Sequence, residues 1–321
     1  MQFDLPLDEL RRYRPPVEEP DDFEDYWART LDVEARRPLD VEARPAESII
    51  SALEVFDVSF SGHGGARVAG WLLVPRDAAA TAPVVVEFVG YGGGRGRPTE
   101  WLNWACAGFP HLVMDSRGQG GGWRGADTPD VGATGEPGSR GFLTSGLSAP
   151  QSHYYTRLFV DATRALSVPA EIPALVGRPL ISTGVSQGGG VALAAAHLHG
   201  DVAAIATDVP FLCNFRRATA VTDSAPYAEI SDYCRLYPER VDQVFTTLSY
   251  FDVVNHARRL QVPALFSVGL ADLVTPPSTV FSAYNHYPGE KAIEVYPFNG
   301  HDGAASVHFE RKVAFARGLA A

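Results

Sequence analysis

Six short apolar runs recur through the chain from residue 82 onward: APVVVEFVG (82–90), HLVMD (111–115), PLISTGV (179–185), VAAIATDV (202–209), PALFSVGL (263–270) and AIEVYPF (292–298). Longer polar or helix-patterned stretches separate them. Runs of this kind, apolar at successive rather than alternate positions, suit strands buried on both faces, and the intervening lengths suit crossover helices. Together they predict a mostly parallel sheet covered by helices. Upstream, LEVFDVSFSGHGGARVAGWLLVP alternates apolar and polar residues around a Gly-rich turn, which predicts an antiparallel hairpin over 52–74.

The third run leads directly into STGVSQGGGVALAAAHL (182–198), where Gly184 and Gly188 flank Ser186 at the spacing G-x-S-x-G. A chain that passes from strand to helix in so few residues must turn sharply, and glycine permits the close backbone approach that such a turn needs. The serine then stands at the tip of the turn, with the first amides of the helix beside it, as in a nucleophile elbow. The alternative for the same residues is a serine N-cap on a buried helix. A hairpin followed by six such strands, with the elbow on the third, is the strand inventory of an α/β-hydrolase fold: a mostly parallel central sheet with helices on both faces.

A serine hydroxyl needs a neighbouring base, and the base needs an acid to hold its tautomer. In this fold they follow in the order Ser, acid, His. Asp272 stands in the loop after the fifth run and His301 in the loop after the sixth. Asp208, which precedes Pro210, and Asp252, in the inserted segment, are the competing acids. His286 and His308 fall in helical patterns, as do His197 and His199 after the elbow. The developing oxyanion needs two donors. The Gln187 amide is one, and the loop VGYGGGRG after the first run supplies the other at Tyr91; a merely flexible turn is the alternative for its glycines. Phe211, Phe215 and Tyr250 are expected to bind substrate by closing the acyl side. No metal-binding pattern occurs, so no metal or other cofactor is expected.

An apolar share of 45%, a charged share of 20% and a net charge of −11 suit a globular protein and argue against a nucleic-acid partner. Cys106, Cys213 and Cys234 show no paired spacing and read as buried free thiols. The N-terminal sequence lacks a signal-peptide pattern and no apolar run is long enough to span a membrane, so a cytoplasmic protein without a membrane partner is expected. One domain covers 1–321, with an amphipathic N-terminal helix over about 18–36, an irregular Gly-rich loop over about 118–150 and a helical cap insertion over about 210–260. The cap is expected to overhang the carboxyl ends of the strands.

RGQG (117–120), GVSQGG (184–189), GLADLVTPPST around Asp272 and GHD (300–302) together resemble the acetyl xylan esterase and cephalosporin C deacetylase group, carbohydrate esterase family seven. DDFEDYW near the start and DVPFLCNFRRA after the fourth run extend the likeness over nearly the whole chain. The resemblance implies a triad of Ser186, Asp272 and His301, an oxyanion hole at Tyr91 and Gln187, and metal-free deacetylation of small substrates such as acetylated xylo-oligosaccharides and cephalosporin C. It also implies a ring-like hexamer, a buried ion-pair role for Arg117 and a strand-end role for Asp115. Two departures stand out: Asp302 where the family usually has Glu, and Thr275 where many members have Cys. A prolyl-oligopeptidase-type peptidase and a ligand-binding pseudoenzyme on the same fold are the alternatives; no propeller-like domain precedes the core, and the complete triad speaks against a pseudoenzyme.

Overall fold

A computed structural model describes residues 2–132 and 141–319. Residues 133–140, within the Gly-rich loop expected at 118–150, lie outside the described residues. The strands are β1 (Glu42–Pro45), β2 (Leu53–Ser61), β3 (Arg67–Pro75), β4 (Val84–Phe88), β5 (His111–Met114), β6 (Leu180–Val185), β7 (Ala204–Asp208), β8 (Ala264–Gly269) and β9 (Lys291–Tyr296). They form one sheet in the order β1-β2-β3-β5-β4-β6-β7-β8-β9. β1, β2 and β3 pair antiparallel, β3 meets β5 antiparallel, and every pairing from β5 to β9 is parallel.

The six apolar runs are β4 to β9. Every residue of β5, β7 and β8 is buried, as successive apolar positions require of strands covered on both faces. One face carries the helices Tyr154–Ser167 and Gln187–His199, with Phe23 and Trp27 of the helix Phe23–Ala35 in the same core. The other face is covered by Leu102–Cys106 and Ala305–Gly318, whose Trp104 and Ala316 meet Val85 and Ile181. The helix Gln187–His199 is buried at every position from Gln187 to Ala196, so it is apolar all round rather than amphipathic.

Two features depart from the sequence expectations. The strand β1 was not foreseen: its sequence EARP is exposed at all four positions and carries a proline, which only an edge strand tolerates. It pairs with β2, so the hairpin edge is not bare. Cys106 is exposed and Cys234 half-buried; only Cys213 is buried, and all three are free. The insertion between β7 and β8 holds the helices Phe215–Val221, Ala228–Leu236, Val241–Ser249 and Val253–Ala257. Its last helix, Val253–Ala257, packs on Gln187–His199, while Ala225 and Pro226, just before Ala228–Leu236, line the same cavity as Ser186 and His301. The N-terminal segment clasps the insertion: Glu19 pairs with Arg258 at 2.7 Å and Arg259 at 2.8 Å, and Trp27 Nε1 donates to the Tyr250 carbonyl at 3.1 Å.

The Gly-rich loop is tied down by buried charge. Arg117 has no solvent exposure and donates through Nε and Nη2 to Asp161 at 2.5 and 2.6 Å. Asp115, just past β5, accepts from the amides of Arg95, Ser116, Asp127 and Thr128. Each carboxylate thus has several donors, the condition under which buried charge is tolerated.

Candidate active site

Ser186 sits between β6 and its following helix at φ 58° and ψ −119°, a conformation that L-residues adopt only where the surroundings impose it. Its amide donates to the Asp208 carbonyl at 2.9 Å, and its carbonyl accepts from Gly190 N at 3.0 Å and Phe211 N at 2.9 Å. The flanking glycines have steric reasons to be there. A Cβ at Gly188 would lie 1.9 Å from the Phe88 carbonyl oxygen, and one at Gly184 would lie 2.3 Å from the Gly188 carbonyl carbon. Ser186 occupies the N-cap position, but its side chain caps nothing. Its hydroxyl is therefore not accounted for by helix capping.

His301 reaches the same place from the loop after β9. Its Nδ1 lies 2.9 Å from Asp272 Oδ2. A Cβ at Gly269, the last residue of β8, would lie 2.3 Å from the Gly300 carbonyl oxygen, so the missing side chain is what lets the His301 loop close on the strand end. Asp302 holds that loop from within, accepting from Gly300 N at 3.0 Å and Asn299 Nδ2 at 2.7 Å, bonds that pull its carboxyl below the usual range. Asp272 has no solvent exposure and its acceptor sites are filled. Oδ1 takes the amides of Val274 and Thr275 at 2.8 and 2.9 Å, while Oδ2 takes Thr275 Oγ1 at 2.7 Å besides His301. Thr275, noted above only as a departure, is thus a direct partner of the acid.

Ser186 and His301 line one cavity of about 540 Å³, together with Tyr91, Trp101, Trp123, Arg124, Pro226 and Val274. No hydrogen bond joins the Ser186 hydroxyl to His301 in the structure. Such contacts are commonly long before substrate binds and tighten in the complex. Gln187 is fully buried, its side chain accepting from Gln119 Nε2 and Tyr155 Oη, each at 2.9 Å. Tyr91 has its carbonyl held by Trp123 Nε1 at 2.9 Å, and the next amide, Gly92 N, donates to Gln119 Oε1 at 2.7 Å. Gln119, from the RGQG stretch, therefore links the Gln187 side chain to the amide that follows Tyr91.

The expected substrate-binding aromatics are elsewhere. Phe211, Phe215 and Tyr250 do not line the cavity. Phe211 is fully buried behind the Tyr91 ring, with centroids 6.0 Å apart; Phe215 is buried against Tyr227; Tyr250 faces Tyr26 at 4.8 Å and donates to Asp22. Burial of apolar rings in the core outweighed display at the site. Sequence reasoning missed Trp101, Trp123, Pro226 and Val274, which do line it. The exposed Trp123 was embedded in a Gly-rich loop that gives no periodic signal.

The competing acids and bases are engaged otherwise. Asp208 pairs with Lys312 at 2.6 Å and meets His308 at 3.1 Å, and these partners hold its carboxyl below the ordinary range against the cost of burial. Asp252 caps the helix Val253–Ala257 and accepts from Asn214 N, its carboxyl pushed up to about 6 by burial. His286 donates from Nδ1 to the Ser282 carbonyl, His197 meets His256, and His199 lies at the end of the elbow helix. Among the described residues no group of three or more His, Cys, Asp or Glu is placed to hold a metal ion, and no helix is long and apolar enough to cross a membrane.

The acetyl xylan esterase family model matches residues 1–319. The solved acetyl xylan esterase from Paenibacillus sp. R4 superposes with a TM-score of 0.91 at 35% identity, covering 98% of this chain and 99% of that one. Acetyl xylan esterase 1 from Thermoanaerobacterium sp. JW/SL YS485 gives 0.90 at 34% identity, covering 99% of each. Among curated proteins, the acetyl esterase Axe7A of Xylanibacter ruminicola is 27% identical over 297 residues, which are 90% of this chain but only 65% of that protein. With the elbow, the strand order and a match along nearly its full length, the chain has the α/β-hydrolase fold and belongs to the acetyl xylan esterase family.

Proposed function

We propose that the protein is a serine carboxylesterase that removes acetyl groups from small acetylated substrates through an acyl-enzyme on Ser186. The observation that carries this reading is the His301–Asp272 pair at 2.9 Å, opening onto the cavity that holds a strained, uncapped serine. Asp272 accepts the Nδ1–H of His301, which leaves the Nε2 lone pair to take the serine proton. Oγ attacks the acetyl carbonyl as His301 removes that proton, and the carbonyl oxygen becomes an oxyanion facing the Tyr91 and Gln187 amides. Collapse expels the alcohol, which receives the proton from His301. Water then repeats the attack on the acetyl-serine, and acetate leaves.

Family membership supports acetylated xylo-oligosaccharides as substrates, and the resemblance adds the acetyl ester of cephalosporin C. A cytoplasmic location and a hexamer belong to the same reading. The hexamer rests on the resemblance. Light scattering that gives the 34.6 kDa of one chain would remove it.

Acyl selectivity tests the substrate class. The Tyr91 ring is backed by Phe142 at 5.4 Å and Phe211 at 6.0 Å, so the wall beside the reacting carbon cannot give way easily. For acetyl, butyryl and octanoyl esters of one alcohol, kcat/KM is expected to fall at least about tenfold from the first to the second, and further to the third. Equal or rising values would show a long acyl pocket and contradict the deacetylase reading.

A further inference from the structure

We propose that Glu229 is a positioning residue of the oxyanion site: through the Tyr91 hydroxyl it fixes the peptide whose N–H faces the developing oxyanion. The inference rests on the assignment of Tyr91 made above.

Glu229 lies in the first turn of the helix Ala228–Leu236, three residues after Pro226 of the cavity wall. Its Oε1 accepts from the Tyr91 hydroxyl at 2.5 Å and its Oε2 from Leu143 N at 3.1 Å. The Tyr91 oxygen in turn accepts from Phe142 N at 2.8 Å. The loop is wrapped so closely that a Cβ at Gly141, which sits at φ +70°, would lie 2.2 Å from the Glu229 carboxyl. Tyr91 is thereby held at its hydroxyl by Glu229, at its carbonyl by Trp123 and at the following amide by Gln119. Only the first of these holds reaches it from the inserted helices.

The polarity of this network fits the carboxylate. Ionised, Glu229 offers one oxygen to each donor, and Tyr91 uses its proton on Glu229 while accepting from Phe142. A protonated or amidated side chain must aim a hydrogen at one of the two: toward Leu143 N–H that contact is lost, and toward Tyr91 the bond reverses and leaves the Tyr91 O–H without its acceptor. Burial pushes the Glu229 carboxyl up to about 7, against the lowering effect of its two hydrogen bonds. Tyr91 and the buried Tyr155 are the titratable groups that face it, and no cation among the described residues offsets its burial. The ordering carboxylate is therefore lost as the pH falls through about 7, and the acid limb of activity should carry this ionisation.

The test is steady-state hydrolysis of an acetyl ester from about pH 5 to pH 9 by the wild type, Glu229→Gln, Tyr91→Phe, their double variant and Ser186→Ala. Above neutrality each of the first two variants is expected to lose about 10- to 100-fold in kcat, with KM within about twofold. The double variant should lose no more than the worse single one, and Glu229→Gln should show a shallower acid limb than the wild type. Multiplicative losses in the double variant, or a Glu229→Gln enzyme within about threefold of wild type at every pH, would overturn the inference. If Glu229→Gln does not fold, Tyr91→Phe decides: an acid limb as steep as the wild type's overturns it. Activity surviving in Ser186→Ala would instead sink the parent reading. An inactive Ser186→Ala beside an indifferent Glu229→Gln would sink only the role of Glu229.

Discussion

Ser186→Ala is expected to abolish ester hydrolysis, lowering kcat by several orders of magnitude, about 10⁶ where a serine nucleophile has been removed from a triad. The fold should survive. The Ser186 side chain makes no hydrogen bond whose loss would strand a buried partner, and alanine faces the same backbone strain at φ 58°. The positions that cannot change are its neighbours, Gly184 and Gly188, where any Cβ meets backbone. Unchanged thermal unfolding beside lost activity would place the effect in the chemistry. Retention of more than about a tenth of wild-type kcat would contradict the triad, since the oxyanion donors alone cannot supply it.

Asp272→Asn should be nearly as damaging, with a loss of about 10⁴ in kcat, the size seen when a triad acid becomes an amide. The reason lies in which oxygen is replaced. Oδ1 is held by the amides of Val274 and Thr275, both donors, so the asparagine carbonyl must stay there. The NH₂ then occupies the place of Oδ2 and points at His301 Nδ1. That forces the imidazole proton onto Nε2, where it faces Ser186 and blocks proton abstraction. Thr275 Oγ1 loses its acceptor as well. Because the defect is a tautomer rather than a titration, raising the pH should not restore activity. A variant within about tenfold of wild type would show that another group orients His301.

The parallel strands and the elbow were legible because burial on both faces and a strand-to-helix turn leave marks in short contiguous stretches. Asp272 and His301 could be read from their places after β8 and β9, although nothing in the sequence states that they meet. The edge strand β1 could not be read: an exposed EARP carries no apolar pattern, and its pairing with β2 is a tertiary fact. Phe211 misled because an aromatic beside a site can face the cavity or stand behind its wall. Its amide is held by the Ser186 carbonyl while its ring points into the core. Glu229 was hidden for the opposite reason. Carboxylates on helices usually face solvent, and only the Gly141 turn and the Tyr91 ring show that this one faces inward.

The most direct measurement is covalent capture of the nucleophile. Wild-type protein and Ser186→Ala would be treated with a fluorophosphonate, followed by intact mass and peptide mapping. One adduct per chain, located on Ser186, formed in step with the loss of esterase activity and absent from the alanine variant, is the expected result. An adduct on another residue, labelling that persists in Ser186→Ala, or a fully labelled enzyme that still hydrolyses acetyl esters would contradict the assignment of Ser186 as the attacking group.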